Sequence, residues 1–399
     1  MRIYSHMARA AATSAMVVSL SAYSSVAFAL DTDDFATKVA AIGSQGGTKM
    51  TFGAIEADGD TVVLKSVRLT PGGEQPVELG DVSFEGIEEE DDGAYSVELV
   101  KFPDVDVTNE GGHLSIVDIE IGGLFVPETM TYDTLDNILF YESMSTGPLK
   151  VTREGNEVFS MSGIELEVNR ADDDSTVGVT LNGTGLRADI KQIDDLKPRQ
   201  MLNDLGYETL TGDLVLDANW DVESGTVKLN EYGLTLNDVG KLAVQLEISG
   251  YTMEFIQAME QAQTAAAANP DAEAAQQAMG FAMLGMLQQL TFNSASIRFD
   301  DASVTEKALA YAGKQQGISG EQMRQAVKGM MPLMLGQLGI PALQQQISAA
   351  ANIYLDNPGN LTVSAKPASP VAVPVIMGAG MGDPRSLVDL LNVQVTAND

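Results

Sequence analysis

Apolar and polar residues alternate along many segments of this chain, and two segments show the pattern most clearly. The alternating apolar positions in these two segments are Leu214, Leu216, Ala218 and Trp220, and Leu242, Val244, Leu246 and Ile248. The positions between them are mostly acidic, basic or amide residues. Because successive side chains of a strand point to opposite faces, the alternation predicts strands with one buried and one solvated face.

Further β-type segments precede and separate these two, at intervals of about ten residues. The predicted strands are 49–57, 61–70, 77–85, 95–101, 105–109, 113–121, 149–152, 158–168, 176–190 and 226–236. Asp-Gly and Gly-Gly pairs between several of them supply the positive φ angles that tight hairpins need. The spacing predicts an antiparallel meander.

Helical patterns interrupt the meander and dominate after Gly250. Short helices are predicted over 33–44, 132–143 and 193–205. Two longer ones are predicted in the Ala-, Gln- and Met-rich stretch 251–290, and capping boxes at 303–306 and 319–322 open others up to residue 354. Predicted strands at 292–299, 360–365 and 392–396 follow or separate them. We interpret the Gly-rich 378–382 as a connector, followed by a short helix at 384–391.

These elements together predict an α+β, β-rich fold. We expect an extended antiparallel meander sheet with short helices and a larger helical insertion in the C-terminal half. The expected organisation is a leader over 1–29, an N-terminal β-rich unit over 30–145, a central antiparallel meander over 146–250 and a helix-rich unit over 251–399.

The first 29 residues have the features of a secretory signal peptide. Arg2 and Arg9 give a basic start, the following residues are small and apolar, and Ala27-Phe28-Ala29 forms an A-x-A cleavage site. We therefore expect export to the periplasm with cleavage after Ala29. The alternative is an uncleaved leader that anchors the chain in the inner membrane.

Charge and residue inventory narrow the function. The formal net charge is −33, there is no cysteine, and beyond the leader the one histidine is His113. Such a surface repels nucleic acid and anionic head groups, and a thiolate or multi-histidine zinc site is excluded. No G-x-S-x-G motif surrounds a serine, and Gly378–Gly382 lacks dinucleotide-binding spacing. We predict no enzyme: no catalytic residue, no metal ligand, no cofactor, and neither nucleic acid nor nucleotide as partner. Weak calcium binding at acidic loops and hydrolysis by carboxylates alone are the alternatives left open.

Methionines in the helical regions are the most suggestive group. Their unbranched side chains suit a surface that accepts variable apolar shapes. The predicted ligand-binding residues are Met279, Met283, Met286, Leu287, Leu290, Met330 and Met334. The alternative is an ordinary core between helix and sheet.

The meander also resembles a known group of proteins. Gly212-Asp213-Leu214-Val215-Leu216 and Gly240-Lys241-Leu242-Ala243-Val244, with a similar early segment at 59–84, resemble the Gly-x-Leu-x-Leu meanders of AsmA-like and YdgA-like cell-envelope proteins. The resemblance implies a long twisted sheet in the Gram-negative envelope, linked to lipid or outer-membrane homeostasis, with no catalytic residues.

The sequence therefore predicts a non-enzymatic periplasmic protein that binds or passes an apolar ligand, such as a lipid, between a curved sheet and Met-rich helices. The alternative is a structural or scaffolding protein whose helical face binds an envelope protein.

Overall fold

A computed structural model describes residues 30–44, 48–71, 75–109, 111–131, 134–138, 140–267, 269, 271–336 and 339–399. The predicted leader lies outside these residues. The strands of the described residues are β1 (Lys49–Thr51), β2 (Ala54–Asp58), β3 (Thr61–Thr70), β4 (Val77–Glu89), β5 (Tyr95–Lys101), β6 (Val105–Asn109), β7 (Gly112–Ile116), β8 (Glu120–Val126), β9 (Ser143–Thr146), β10 (Leu149–Arg153), β11 (Asn156–Met161), β12 (Gly163–Arg170), β13 (Thr176–Asp189), β14 (Thr209–Asp221), β15 (Thr226–Leu236), β16 (Gly240–Ser249), β17 (Thr291–Asp301), β18 (Asn360–Ala365), β19 (Val371–Ala372) and β20 (Val393–Ala397). The helices are α1 (Thr32–Ile42), α2 (Leu196–Asp204), α3 (Met253–Ala267), α4 (Ala272–Leu287), α5 (Val304–Gln315), α6 (Gly320–Gly336), α7 (Pro341–Asp356), α8 (Val373–Gly382) and α9 (Ser386–Leu390). The predicted α+β, β-rich class is confirmed.

All the strands join in one antiparallel sheet. Its spine runs in the spatial order β3, β4, β5, β8, β9, β12, β13, β14, β15, β16, β17, β18 and β20. The strands β6, β7, β10 and β11 continue their neighbours β5, β8, β9 and β12 beyond a kink. Positive φ at Asp118 and the Gly147-Pro148 step mark two of these kinks.

Helix α1 covers the first strands of the sheet. The Asp31 side chain accepts a hydrogen bond from the Asp34 N–H and so caps the helix. Phe35, Ala36 and Val39 then share one helix face and are buried against β3, β4, β5 and β8. This is the best-buried core in the described part of the chain.

Helices α5, α6 and α7 lie between the end of β17 and the start of β18. Ser319 and Gln322 form the predicted capping box at α6: the Gln322 N–H donates to Ser319 Oγ at 3.1 Å, and the Ser319 N–H donates to Gln322 Oε1 at 2.9 Å. Leu309, Met323, Tyr354 and Leu355 form a second core with residues of β17, β18 and β20.

The helix predicted over 132–143 is wrong. Its described residues contain only a 3-10 turn, Leu135–Asn137, and β9 begins at Ser143. The chain instead runs alongside β8: the Phe125 N–H donates to the Phe140 carbonyl at 2.7 Å, and the Glu142 N–H donates to the Gly122 carbonyl at 3.0 Å. Pairing with a strand outweighs a local helical pattern.

The interpretation of 378–382 as a connector is also wrong, because these residues are the last turns of α8. Pro374 lies in the first turn, where a missing N–H is tolerated. Each interior glycine costs about 1 kcal/mol relative to alanine, which weakens a helix without forbidding it.

The predicted unit boundaries fall within the continuous sheet. Residue 145 lies inside β9, and β16 and β17 pair across the boundary at 250/251.

Candidate functional site

One face of the sheet carries a continuous row of apolar side chains. Directly paired residues of antiparallel strands lie on the same face. Following the pairs from strand to strand gives one member on each of thirteen strands. This apolar row consists of Val62, Phe84, Val100, Ile121, Met144, Leu166, Leu181, Leu216, Tyr232, Val244, Ile297, Val363 and Val395.

The first end of the apolar row is closed. Val62, Phe84 and Val100 are almost fully buried, and the ring of Phe35 from α1 packs edge-on against Phe84. Burying these side chains stabilises the fold by about 1.5–3 kcal/mol each. This end is an ordinary core.

Near the other end of the apolar row, α5, α6 and α7 cover only the residues next to the row. Phe299, Leu361 and Ala397 are directly paired and pack against the core of α5, α6 and α7. Ile297 and Val363 lie two residues along the same strands and face the same way. They remain 53% and 43% exposed.

Between the two covered regions the apolar face opens to solvent. Its exposed large side chains around Val244 form what we call the open patch, which consists of Tyr232 (46% exposed), Leu242 (44%), Leu246 (37%), Ile297 and Val363. The members are neighbours by direct pairing or along one strand. Contiguous exposed apolar surface is a feature by which interaction sites are recognised, so the open patch is the candidate site.

The opposite face of the same strands is polar. Gln245, Ser296, Ser364 and Gln394 pair directly across four strands, and the Ser296 hydroxyl donates to Gln245 Oε1 at 3.0 Å. A shallow depression of about 300 Å³ lies over this row, and Lys366 and Asn392 are among the other residues that line it. This part of the sheet therefore has one apolar face and one polar face, as the alternation of residues predicts.

The predicted methionine site is divided between two parts of the structure. Met279, Met283 and Met286 lie on α4 with Leu287, and Leu290 follows the helix, whereas Met330 and Met334 lie on α6. Helix α4 packs on α3, and α6 packs on α5 and α7.

The exposure of the predicted residues differs widely. Met286 is 4% exposed, while Met283, Met330 and Met334 are 49–66% exposed. Met279, Leu287 and Leu290 are half-buried. Met286 thus belongs to the packing of the helical hairpin, and the other three methionines are available to a ligand or partner.

An aromatic cluster fixes the base of the α3–α4 hairpin to the sheet. The indole Nε1–H of Trp220 on β14 donates to the Tyr251 carbonyl at 2.8 Å. The ring of Tyr251 contacts both Trp220 and Phe255, with centroids 6.0 and 5.2 Å apart. Burial raises the pKa of the Tyr251 hydroxyl.

Several charged side chains of the described residues form ion pairs, among them Lys65 with Asp81 and Arg170 with Asp174. The His113 Nε2–H donates to Asp106 Oδ1 at 2.8 Å across an exposed hairpin. Within the part of the chain that the structure describes, no three His, Asp or Glu side chains converge as a metal site would require.

Sequence reasoning missed the open patch as a site. The alternation assigns Leu242, Leu246 and Ile297 to an apolar face, but it does not show which strands pair or where helices stop covering that face. Those facts depend on long-range register.

A family model with the description "Uncharacterized protein" matches residues 233–398. No curated protein matches the chain. Among the described residues, no helix is both long and apolar enough to cross a membrane.

Proposed function

We propose that this protein is a non-enzymatic, exported cell-envelope protein that holds or passes an apolar ligand, foremost the acyl chains of a lipid, on the open patch. The observation that carries the proposal is the apolar row. It continues unbroken across thirteen paired strands, while helices bury it only at one end and flank it at the other.

The dimensions of the row suit acyl chains. Strands spaced about 4.8 Å apart make a row of thirteen about 58 Å long. One leaflet of a bilayer core is about 15 Å thick, so the row is several times longer than one extended acyl chain. The open patch occupies four of these strands, a width of about 14 Å, and so matches the length of one extended acyl chain.

The chemistry of the patch indicates the ligand class. Its members are aliphatic except for Tyr232, so contacts are non-directional and scale with buried area. The net charge of −33 disfavours anionic head groups. Neutral or zwitterionic lipids are the ligands that this combination favours.

The leader supports a periplasmic location, with an inner-membrane anchor as the alternative. The resemblance of the Gly-x-Leu-x-Leu segments to AsmA-like and YdgA-like proteins supports the same assignment to the envelope and to lipid.

A second candidate function is binding of an envelope protein through the helical face. Met330, Leu333 and Met334 of α6 favour it, because all three are more than half exposed. Helix α6 follows the C-terminal end of β17 in the chain, so a partner bound to these residues would not cover the open patch.

The test is native mass spectrometry of protein purified from its own periplasm, followed by lipid extraction. We expect co-purifying phospholipid and transfer of lipid between vesicles. The absence of both would overturn the proposal.

A matched pair of variants locates the ligand on the sheet. Ile297→Glu places a charge in the open patch, and Ser296→Glu places the same charge on the neighbouring residue of the polar face. Binding of the neutral fluorescent probe N-phenyl-1-naphthylamine should weaken about tenfold in the first variant, equivalent to about 1.4 kcal/mol, and stay near wild type in the second. Equal binding by both variants, with circular dichroism showing both folded, would contradict the assignment.

A further inference from the structure

Beyond the predicted leader, three long stretches of this highly charged chain contain no charged residue. They are residues 274–297, which span most of α4 and the start of β17, residues 329–355, which span the end of α6 and most of α7, and residues 367–382, which include β19 and α8. Charged residues make up 20% of the chain, so each stretch departs from the average composition. The first and the third differ from the second in where the fold places them.

The fold brings residues 274–297 and 367–382 together. β19 pairs with the first residues of β17, and the Val373 N–H at the start of α8 donates to the Leu290 carbonyl just after α4 at 3.0 Å. Both helices therefore emerge from the same end of the sheet. We call α4, α8 and the residues Leu290–Phe292 between their bases the uncharged tip.

Apolar side chains of α4 are exposed over a wide arc. Phe281, Met283 and Leu284 are 75%, 49% and 49% exposed. At 100° per residue these three positions span about 160° of the helix circumference. An amphipathic helix that docks in a protein groove presents a narrower stripe.

Helix α8 is exposed in the same way. None of its residues is buried, and Val375 and Met381 are 53% and 86% exposed. Val375 and Met377 point about 160° apart on the helix. Exposed apolar side chains on opposite sides of a helix are better covered by hydrocarbon, which surrounds the helix, than by a protein surface that contacts one side.

The base of the uncharged tip carries the residues that favour a membrane interface. Trp220 and Tyr251 lie there in the aromatic cluster, and both residue types concentrate at head-group level in membrane proteins. Exposed acidic residues, Asp221, Glu223 and Glu254, follow at the same end of the strands. They would meet the head groups once the tip is inserted, and they disfavour an anionic surface.

We propose that the uncharged tip inserts shallowly into the surface of a neutral or zwitterionic bilayer. Neither helix is long enough to span one, so insertion is confined to the interfacial region. Docking in this way places the end of the apolar face next to the membrane. Phe292 of the tip pairs with Ile248, and Ile248 lies two residues from Leu246 of the open patch on β16. The purpose given to this docking, delivery of lipid to the open patch, rests on the proposed function.

The test is co-flotation of the full exported chain with phosphatidylcholine vesicles. Brominated acyl chains report insertion, since Trp220 is the only tryptophan and its fluorescence is quenched by nearby bromine. The tip variant is Phe281→Asp with Met381→Asp. The matched control is Leu333→Asp, a 78% exposed side chain on α6 at the other end of β17.

We expect the tip variant to lose at least about tenfold in vesicle affinity, equivalent to about 1.4 kcal/mol, and the control to float like wild type. Adding phosphatidylglycerol should weaken flotation of the wild type. Wild-type flotation by the tip variant, or an equal loss in the control, would overturn the proposal. The proposal would also be overturned if the wild type formed a dimer, the tip variant stayed monomeric, and neither protein floated with the vesicles.

Probe binding without vesicles separates the two proposals. The tip variant should still bind N-phenyl-1-naphthylamine, because the open patch is intact. Flotation that persists in a protein binding no probe would remove the proposed function and leave docking in place. Probe binding lost in Ile297→Glu, together with normal flotation of the tip variant, would remove docking and leave the function.

Discussion

The ring of Phe35 meets the ring of Phe84 edge to face, with centroids 5.4 Å apart and planes inclined at 82°. Phe84 is a member of the apolar row, so α1 closes the row at this point. Ile297 belongs to the same row and is 53% exposed. One row of apolar residues thus serves as a core where a helix covers it and as an open surface where none does.

Truncating Phe35 should destabilise the core beneath α1. Phe35→Ala is expected to lower the free energy of unfolding by about 3–5 kcal/mol, because it leaves a cavity among fully buried side chains. The matched variant Phe281→Ala removes the same atoms from a 75% exposed position and should change stability by less than about 0.5 kcal/mol. Urea denaturation followed by circular dichroism measures both. Similar losses in the two variants would contradict the assignment of the core.

The stability of the core beneath α1 should depend on pH through Asp34. Its carboxylate accepts hydrogen bonds from Lys38 Nζ at 2.6 Å and from the Tyr95 hydroxyl at 2.7 Å, which lowers its pKa below the usual 3.8. A lowered folded-state pKa stabilises the fold above the unfolded-state value, and this contribution disappears as pH falls through the folded-state value.

Asp34→Asn should therefore be less stable than wild type at pH 7, and the two should converge below about pH 3.8. Urea midpoints across this range measure the difference. Asp33→Asn, an exposed neighbour in the same turn, is the control. A gap between wild type and Asp34→Asn that stays constant down to pH 2 would count against the Lys38 and Tyr95 contacts as its source.

The N-terminal cap of α5 comes from an unexpected residue. The capping box predicts Ser303, but its side chain donates to the Asp238 carbonyl, and Asp301 Oδ1 accepts the Thr305 N–H at 2.9 Å instead. Asp301→Ala should lower stability by about 1 kcal/mol, whereas Asp301→Asn keeps an acceptor and should retain most of it. The melting temperatures of wild type, Asp301→Ala and Asp301→Asn measure the contribution of the cap. Equal melting of Asp301→Ala and wild type would mean that the cap contributes nothing.

The sequence predicts strand positions well because alternation is a local property. Thr61–Thr70, Thr226–Leu236 and Asn360–Ala365 have the same bounds in prediction and structure. Phe292 shows the limit: its spacing places it with Ser294 and Ser296, yet a register shift at Asn293 pairs it with Ile248 on the apolar side. A bulge depends on the neighbouring strand, which a single segment does not reveal.

The candidate site was less predictable for a similar reason. The spacing of Met283 and Met286 groups them on a helix stripe, but one is exposed and the other buried, because α3 packs against one side only. The open patch combines residues from four strands, and their juxtaposition follows from pairing over long sequence separations.

The central claim is that acyl chains lie on the open patch, and single-cysteine labelling tests it most directly. The described chain has no cysteine, and neither does the full sequence, so Ile297→Cys and Ser296→Cys each offer one attachment point on opposite faces of β17. Each variant is labelled with bimane and mixed with phosphatidylcholine that carries brominated acyl chains. We predict strong quenching at position 297 and little at 296. Equal quenching at both positions, or none at 297 while lipid co-elutes with the protein, would contradict the account.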